Sequence, residues 1–236
     1  MVWTKSYDRV RDVNGSVIAN VRVIIDYNGT NNRTAALLEV KDYQTTGVNI
    51  TIDPSDDTAT TWEEGVYFTA ETSNAITAEK IATGIDGTTN FTANADTGHS
   101  GNPWVSIVYT AGGYLSSIST TDTAVYKFYS EGEATTGVPK LAQDDTGTIK
   151  YQPLWTDSNG LYSFYIDAPT DIDLDYQKSG YNFDDTYSEN IDITIGTTTA
   201  FSDSDKDTIV KTEETADEDV VRIYAGGEEI INFDAT

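Results

Sequence analysis

The residues with the clearest potential for chemistry are carboxylates, and one acidic run has the spacing of a calcium-binding loop. Three aspartates alternate and a glutamate follows at the twelfth position: Asp203, Asp205, Asp207 and Glu214. Oxygen ligands at such intervals converge on one ion in an EF-hand-like loop. However, Thr208 stands where the sharp turn requires glycine, and Lys206 adds a positive charge. A solvated acidic linker is the alternative, so we predict no cofactor, with calcium at this loop as the exception to test.

Groups for catalysis are scarce elsewhere in the chain. There is no cysteine, which excludes thiolate chemistry and Cys-ligated zinc, and a single histidine, His99, lies in a Gly-rich polar loop typical of a surface. Glycoside hydrolysis needs only two carboxylates at a set separation. With 39 acidic residues some pair will always satisfy that distance, and nothing singles one out. We therefore predict a protein without enzymatic activity.

Aromatic side chains offer a second kind of site, because exposed rings stack on sugars. Trp62 follows the polar run 58–61 and is the candidate ligand-binding residue. Trp104 and Trp155 lie on alternating segments and are expected in the core.

The charge balance excludes several partners. Fourteen basic and 39 acidic residues give a formal net charge of −25. Affinity for nucleic acid depends on Lys and Arg neutralising phosphates, so we predict no nucleic-acid partner. The same charge disfavours an anionic membrane surface, and no apolar run approaches the roughly 20 residues of a spanning helix. A solvated acidic surface that keeps many copies soluble is the simplest reading of the composition.

The elements that must carry these residues are strands. Apolar residues alternate with a period of two in segments such as 21–27, 104–109, 161–166 and 171–176, and 66–70 is expected to form a short strand. One helix is predicted at 75–85, with Ser73 or Asn74 as its cap. Asp157 to Gly160 predicts a tight hairpin turn, and 220–224 with 230–233 predicts a final hairpin.

Two segments resemble a known family. Residues 14–23 resemble the first strand of the prealbumin-like, carboxypeptidase-regulatory-like β-sandwich, and residues 155–165 resemble its "T-D-x-x-G-x-F-x-F" hairpin. The segment 139–147 before that hairpin is similar to one seen in bacteriophage tail fibres and other virion proteins. Asn20 replaces the small residue usual in the first motif. The resemblance implies a virion structural component, and its motifs bear on fold more than on function.

The family keeps those two segments close in sequence, whereas here about 100 residues separate them. We predict a mainly β protein, with an Ig-like or prealbumin-like β-sandwich formed by residues 1–44 and 136–200. A small α+β domain at 45–135 would be inserted into it, and 201–236 would form an acidic linker and the C-terminal hairpin. Domains arranged in series are the alternative.

The resulting functional hypothesis is assembly. The chain would be a non-enzymatic phage virion protein that docks on tail, neck or capsid as a homo-oligomer or in many copies, with other virion proteins as partners. The expected contact residues are Trp3, Val221, Ile223, Ile231 and Phe233. A carbohydrate-binding or receptor-binding module and a calcium-stabilised adhesin-like domain are the alternatives.

The calcium hypothesis predicts a melting temperature that depends on the metal. If the loop 203–214 holds calcium, a chelator lowers the melting temperature and added calcium restores it, because an ion that binds only the folded state stabilises it. Asp205→Asn should abolish the shift. A melting temperature that chelator leaves unchanged would remove calcium from the description of this protein.

Overall fold

The fold is described from a computed structural model, which describes residues 3–12, 15–27, 33–86, 88–129, 132–133, 137–167, 170–181, 183, 191–193, 200–202, 209–211, 220–225 and 228–234. Residues 1–193 form one compact unit and residues 194–236 form a second. The structure is mainly β with one helix among these residues, which confirms the predicted fold class. Within the same described residues, no helix has the length and apolarity of a membrane span.

The elements follow in chain order. The helix is α1 (Asn74–Asp86), and the strands are β1 (Trp3–Arg9), β2 (Arg22–Tyr27), β3 (Ala35–Val40), β4 (Ile50–Pro54), β5 (Thr60–Trp62), β6 (Phe91–Asp96), β7 (Trp104–Tyr109), β8 (Leu115–Thr120), β9 (Tyr126–Phe128), β10 (Gly132–Glu133), β11 (Leu141–Ala142), β12 (Ile149–Lys150), β13 (Leu154–Trp155), β14 (Leu161–Asp167), β15 (Thr170–Gln177), β16 (Ile191–Ile193), β17 (Ala200–Ser202), β18 (Ile209–Lys211), β19 (Val220–Ala225) and β20 (Glu228–Asp234).

Two antiparallel sheets form a sandwich. Sheet I has the strand order β1-β14-β11-β12, and sheet II has the order β13-β2-β15-β16. Alternate residues of β2, β14 and β15 point into one shared core because side chains of a strand alternate between its faces. This first core consists of Val10, Ile18, Val21, Val23, Ile25, Leu141, Leu154, Tyr162, Phe164, Ile166, Ile172 and Leu174. The N-terminal segment and the segment after residue 137 therefore pack in one core.

A second pair of sheets carries the helix. Sheet III has the order β6-β7-β3-β9, and sheet IV has the order β10-β8-β4-β5. The second core is formed by buried residues from positions 36 to 128 of the sequence and includes the aromatic cluster Trp62, Phe91 and Tyr109. Helix α1 contributes Ile81 and Ile85 to it.

A third, smaller core joins sheet II to sheet III. It consists of Ile24, Ala35, Leu37, Trp104, Val108 and Val138. Strands β2, β3 and β7 therefore supply buried residues on both faces, and all six residues of β7 are buried. Buried Gln152 makes hydrogen bonds to both sides of this contact. Its side-chain Oε1 accepts the Ile25 N–H at 2.8 Å, and its backbone N–H donates to Ser106 Oγ at 3.2 Å.

The helix begins and packs as its sequence predicts. Ser73 caps it, because its Oγ accepts the Ile76 N–H at 3.3 Å. Ile81, Ala82 and Ile85 share the buried face. Gly84 lies where the helix crosses the segment before it, and a Cβ there would stand 2.4 Å from the backbone oxygen of Tyr67.

Several local predictions are corrected by the structure. Asp157 to Gly160 does form a tight turn, with the Gly160 N–H donating to Asp157 O at 3.0 Å, but the flanking strands do not pair. Strand β13 pairs with β2 in sheet II, whereas β14 pairs with β1 and β11 in sheet I, so this turn crosses the sandwich. Residues 66–70 do not form a strand: 66 and 67 lie in a turn, and Phe68 forms an isolated parallel bridge with Glu64.

The predicted domain boundaries remain a prediction, but the strand pairing bears on where one of them falls. The range 1–44 predicted for the sandwich includes β3, which pairs with β7 and β9 in sheet III. The third core also contains residues of both sheet II and sheet III. The structure therefore gives residues 1–193 as one unit, and the inserted α+β domain at 45–135 stays a prediction.

The second unit consists of sheet V, with the order β17-β18-β19-β20. The predicted C-terminal hairpin is confirmed by the pairing of β19 with β20. The preceding segment was predicted as linker, and it contains β17 and β18, which pair with each other.

Gly84→Ala tests the packing of α1. Alanine normally stabilises a helix interior relative to glycine by about 1 kcal/mol. Here the new Cβ meets the Tyr67 backbone, so we expect the free energy of unfolding to fall by about 1–3 kcal/mol. Denaturant unfolding measures the change. Gly112→Ala is the control, because a Cβ there meets nothing within 4 Å; equal effects of the two substitutions would contradict the close contact.

Candidate functional site

A cleft of about 540 Å³ opens at the rim of the contact between sheets II and III. One wall comes from the residues before and at the start of β2, and another from the end of β15. The loop that joins β6 to β7 and the end of β13 complete it. The charged and aromatic groups at this cleft are Arg22, Trp155 and Lys178. We call it the Arg22 cleft.

The Arg22 guanidinium is held by aromatic rings. Its central carbon lies 5.0 Å from the ring centroid of Trp155 and 5.5 Å from that of Trp104. Cations are attracted to indole faces at such distances, and the contact fixes the plane of the guanidinium. Strand alternation explains the placement: Val23 and Ile25 enter the first core, so Arg22 and Ile24 project from the opposite face of β2 towards sheet III.

The hydrogen bonds of Arg22 are long. Its Nη1 donates to Gln177 Oε1, and its Nη2 donates to the backbone oxygens of Ser100 and Asn102, all at 3.4 Å. Its Nε is buried and has no hydrogen-bond partner. Burial lowers the pKa of Arg22, and the carboxylates of Asp96, Glu39 and Asp175 oppose this shift. The guanidinium therefore keeps unused capacity to donate hydrogen bonds.

Asp96 organises the aromatic wall. Its Oδ2 accepts the Trp155 Nε1–H at 2.7 Å, and its Oδ1 accepts a hydrogen bond from His99 Nδ1 at 2.7 Å. The His99 ring stacks on Trp155 with centroids 3.8 Å apart and an interplanar angle of 10°. The loop histidine predicted at the surface is exposed, and its ring stacks on Trp155 and helps to hold it in place.

A second cation and neutral polar groups complete the lining. Lys178 donates to the backbone oxygen of Ala19 and lies 5.1 Å from the Tyr181 ring centroid. The neutral polar side chains at the cleft are Asn20, Ser100, Gln177 and Ser179. Asn20 adopts a left-handed φ of 53°, a conformation that asparagine tolerates better than most residues.

The cleft groups are those of a binding site. Two cations can hold an anionic group, and the amides and hydroxyls can both donate and accept.

Among the described residues, no group of three or more His, Asp and Glu is placed to hold a metal. The Asp144 carboxylate forms a turn with Thr146 and Thr148, whose hydrogen bonds lower its pKa to about 2.

The residues predicted from the sequence fall in different places. Trp62 is 0% exposed and packs edge-on against Phe91 with centroids 5.0 Å apart, so its ring offers no face to a sugar. The calcium candidates Asp203, Asp205, Asp207 and Glu214 lie outside the described residues. The backbones of Val221, Ile223, Ile231 and Phe233 lie in the hairpin of sheet V. Trp3 is partly buried at the start of β1, and a Cβ added at Gly147 would stand 2.6 Å from its Nε1.

Strand β1 presents an open edge. It pairs with β14 over seven residues, and no described strand pairs with its other side. The Val10 N–H donates to Gly160 O at 2.9 Å in continuation of this register. Because hydrogen-bonding residues alternate along an antiparallel strand, Trp3, Lys5, Tyr7 and Arg9 direct their main-chain groups away from β14. Consistent with this, the Arg9 N–H donates to the neighbouring Asp8 carboxylate at 2.6 Å.

Comparisons of the chain with protein-family models, with curated proteins and with solved structures found no match. The chemistry of the cleft and of the strand edge therefore provides the basis for a functional proposal.

Sequence reasoning missed the Arg22 cleft. Arg22 and Lys178 lie 156 positions apart in the chain, and only the pairing of β2 with β15 brings them to one cleft. Trp155 was predicted in the core and is only partly buried. The available signal was the placement of one basic residue at the start of a strand and another directly after a strand, in an otherwise acidic chain.

Asp96→Asn tests the aromatic wall. The amide keeps the shape of the carboxylate but replaces one of its two accepting oxygens with an NH2 group and removes the charge. One of the two hydrogen bonds of 2.7 Å is therefore lost, and we expect the free energy of unfolding to fall by about 1–3 kcal/mol. Denaturant unfolding followed by tryptophan fluorescence measures this. Asp145→Asn, which makes the same charge change at an exposed turn position, should have an effect within about 0.5 kcal/mol. Similar losses for both variants would contradict the role given to Asp96.

Proposed function

We propose that this protein is a non-enzymatic structural component of a bacteriophage virion that docks on the tail, neck or capsid and mediates assembly or attachment. The observation that carries the proposal is the open edge of β1. An edge strand offers a row of main-chain donors and acceptors, and a strand of another chain can extend the sheet along it. Seven residues of β1 are aligned on β14, so this edge is ordered before a partner arrives.

A second copy of the chain fits this edge. In an antiparallel pair of β1 strands related by a twofold axis at Ser6, Trp3 faces Arg9, Thr4 faces Asp8 and Lys5 faces Tyr7. The residues that direct their main-chain groups outward then meet each other, as a hydrogen-bonded ladder requires. No like charges stand directly opposite, and Trp3 with Arg9 forms a cation–π pair.

The charges on β1 make this edge selective. Lys5, Asp8 and Arg9 are exposed, and charged side chains are a common means by which proteins prevent edge strands from pairing indiscriminately. A partner strand must therefore match these charges. The formal net charge of −25 adds long-range repulsion between copies, so association needs the specific short-range contacts of the edge.

The resemblance of residues 14–23, 139–147 and 155–165 to virion modules supports the virion assignment. A rigid scaffold with three apolar cores also suits a part that bears load and is repeated in many copies. Other virion proteins are the proposed partners, and the virion is the proposed location.

Lys5→Pro tests the proposal by removing one outward N–H donor. We expect the free energy of unfolding to stay within about 1 kcal/mol of the parent protein, because that donor makes no bond to β14. Self-association and incorporation into particles should weaken about tenfold, measured by sedimentation and by quantitative blotting of purified particles. Ser6→Pro is the matched control: its N–H faces β14, so this substitution should destabilise the fold by about 1–3 kcal/mol.

A Lys5→Pro variant that associates and is incorporated like the parent protein would overturn docking through β1. Imaging of intact particles with a specific antibody tests the virion assignment separately. Particles without the chain, or substrate turnover by the purified protein that depends on one acidic residue, would contradict the proposed function.

A further inference from the structure

We propose that the Arg22 cleft binds a small saccharide that carries one carboxylate, of the uronic or sialic acid type. The proposal does not depend on the β1 edge. Its starting point is size: about 540 Å³ lies within the range of small-molecule sites.

The carboxylate is assigned from the two cations. Within the part of the chain that the structure describes, no ion pair joins Arg22 or Lys178 to a carboxylate within 4 Å. The carboxylates of Asp96, Glu39 and Asp175 act on Arg22 from beyond that distance. The cleft therefore contains two cations and no close anion. A ligand carboxylate could form charge-assisted hydrogen bonds with both of them.

The state of Arg22 supports the same conclusion. Its three hydrogen bonds to protein acceptors are all 3.4 Å long, whereas charge-assisted bonds to carboxylates are about 2.7–2.9 Å. The indoles of Trp104 and Trp155 hold the guanidinium in place before any ligand arrives. A ligand carboxylate would therefore gain short hydrogen bonds without ordering a flexible side chain.

The sugar ring is assigned from the rest of the lining. Four neutral polar side chains surround the cations, and each amide or hydroxyl can donate to or accept from a sugar hydroxyl: Asn20, Ser100, Gln177 and Ser179. Trp155 contributes an apolar edge. The lining has no other large apolar side chain, so a hydrophobic peptide side chain finds no pocket here.

The overall charge limits the ligand to a small anion. A formal charge of −25 repels a polyanion over a distance of about 10 Å in ordinary buffers, while one carboxylate inside the cleft is dominated by the two cations beside it. Acidic peptide segments and anionic polymers are therefore disfavoured relative to a monosaccharide or disaccharide acid.

Titration calorimetry with glucuronic acid and with N-acetylneuraminic acid tests the proposal, with neutral galactose as the uncharged probe. We expect binding of at least one acid and little or none of galactose. Lys178→Gln should weaken binding about tenfold, because it removes one charge-assisted contact. Arg22→Gln should abolish detectable binding. Lys80→Gln, an exposed position on α1, is the matched control and should bind like the parent protein.

Arg22 also contributes to packing, so the free energy of unfolding of Arg22→Gln must be measured together with its binding. Lys178→Gln keeps the test decisive even if Arg22→Gln fails to fold. No binding of either acid overturns the proposal, as does binding that Lys178→Gln leaves unchanged. A synthetic peptide of residues 212–219, which carries five carboxylates, forms a separate arm. Binding of this peptide without binding of the sugar acids would replace the saccharide with an acidic protein segment.

Discussion

The face-to-face packing of sheets II and III is the constraint on which the rest of this structure depends. Strands β2, β3 and β7 are buried on both faces, so each contributes side chains to two cores at once. A strand in that position cannot shift its register by one residue without exchanging the contents of both cores. This is why residues 1–193 behave as one compact unit even though their apolar residues fall into three clusters.

The polar groups at this contact either find hydrogen-bond partners within it or lie at its rim, where they line the Arg22 cleft. Gln152 is satisfied within the contact by the backbone of β2 and of Pro139, and by Ser106. Asn102 donates to Glu39 at 2.8 Å nearby. Arg22 lies at the rim, where its central carbon is 5.0 and 5.5 Å from two indole centroids and its Nη atoms meet only acceptors 3.4 Å away. The packing that stabilises the scaffold thus also orders a cation beside solvent, at a cost that a bound anion would offset.

The two proposed surfaces share one electrostatic principle. A chain with a formal charge of −25 keeps its copies apart at long range, so any association must arise from local features. At β1 the local feature is a row of main-chain groups flanked by charged side chains of both signs. At the Arg22 cleft it is a pair of cations. In both places specificity follows from short-range complementarity that acts against a repulsive background.

The alternation of apolar residues determined the mainly β class, and the spacing of Ile81, Ala82 and Ile85 with a cap at Ser73 determined the helix, because these patterns act within a few residues. The final hairpin was also predicted from local patterns, the two apolar segments 220–224 and 230–233. Tertiary structure decided what the turn at Asp157–Gly160 joins, since identical turn geometry can connect paired strands or cross a sandwich. It also decided that Trp62 is core, that β3 belongs to sheet III, and that Arg22 meets Lys178 and Trp155. Those outcomes depend on which sheet faces bury each other, and no local pattern of residues contains that information.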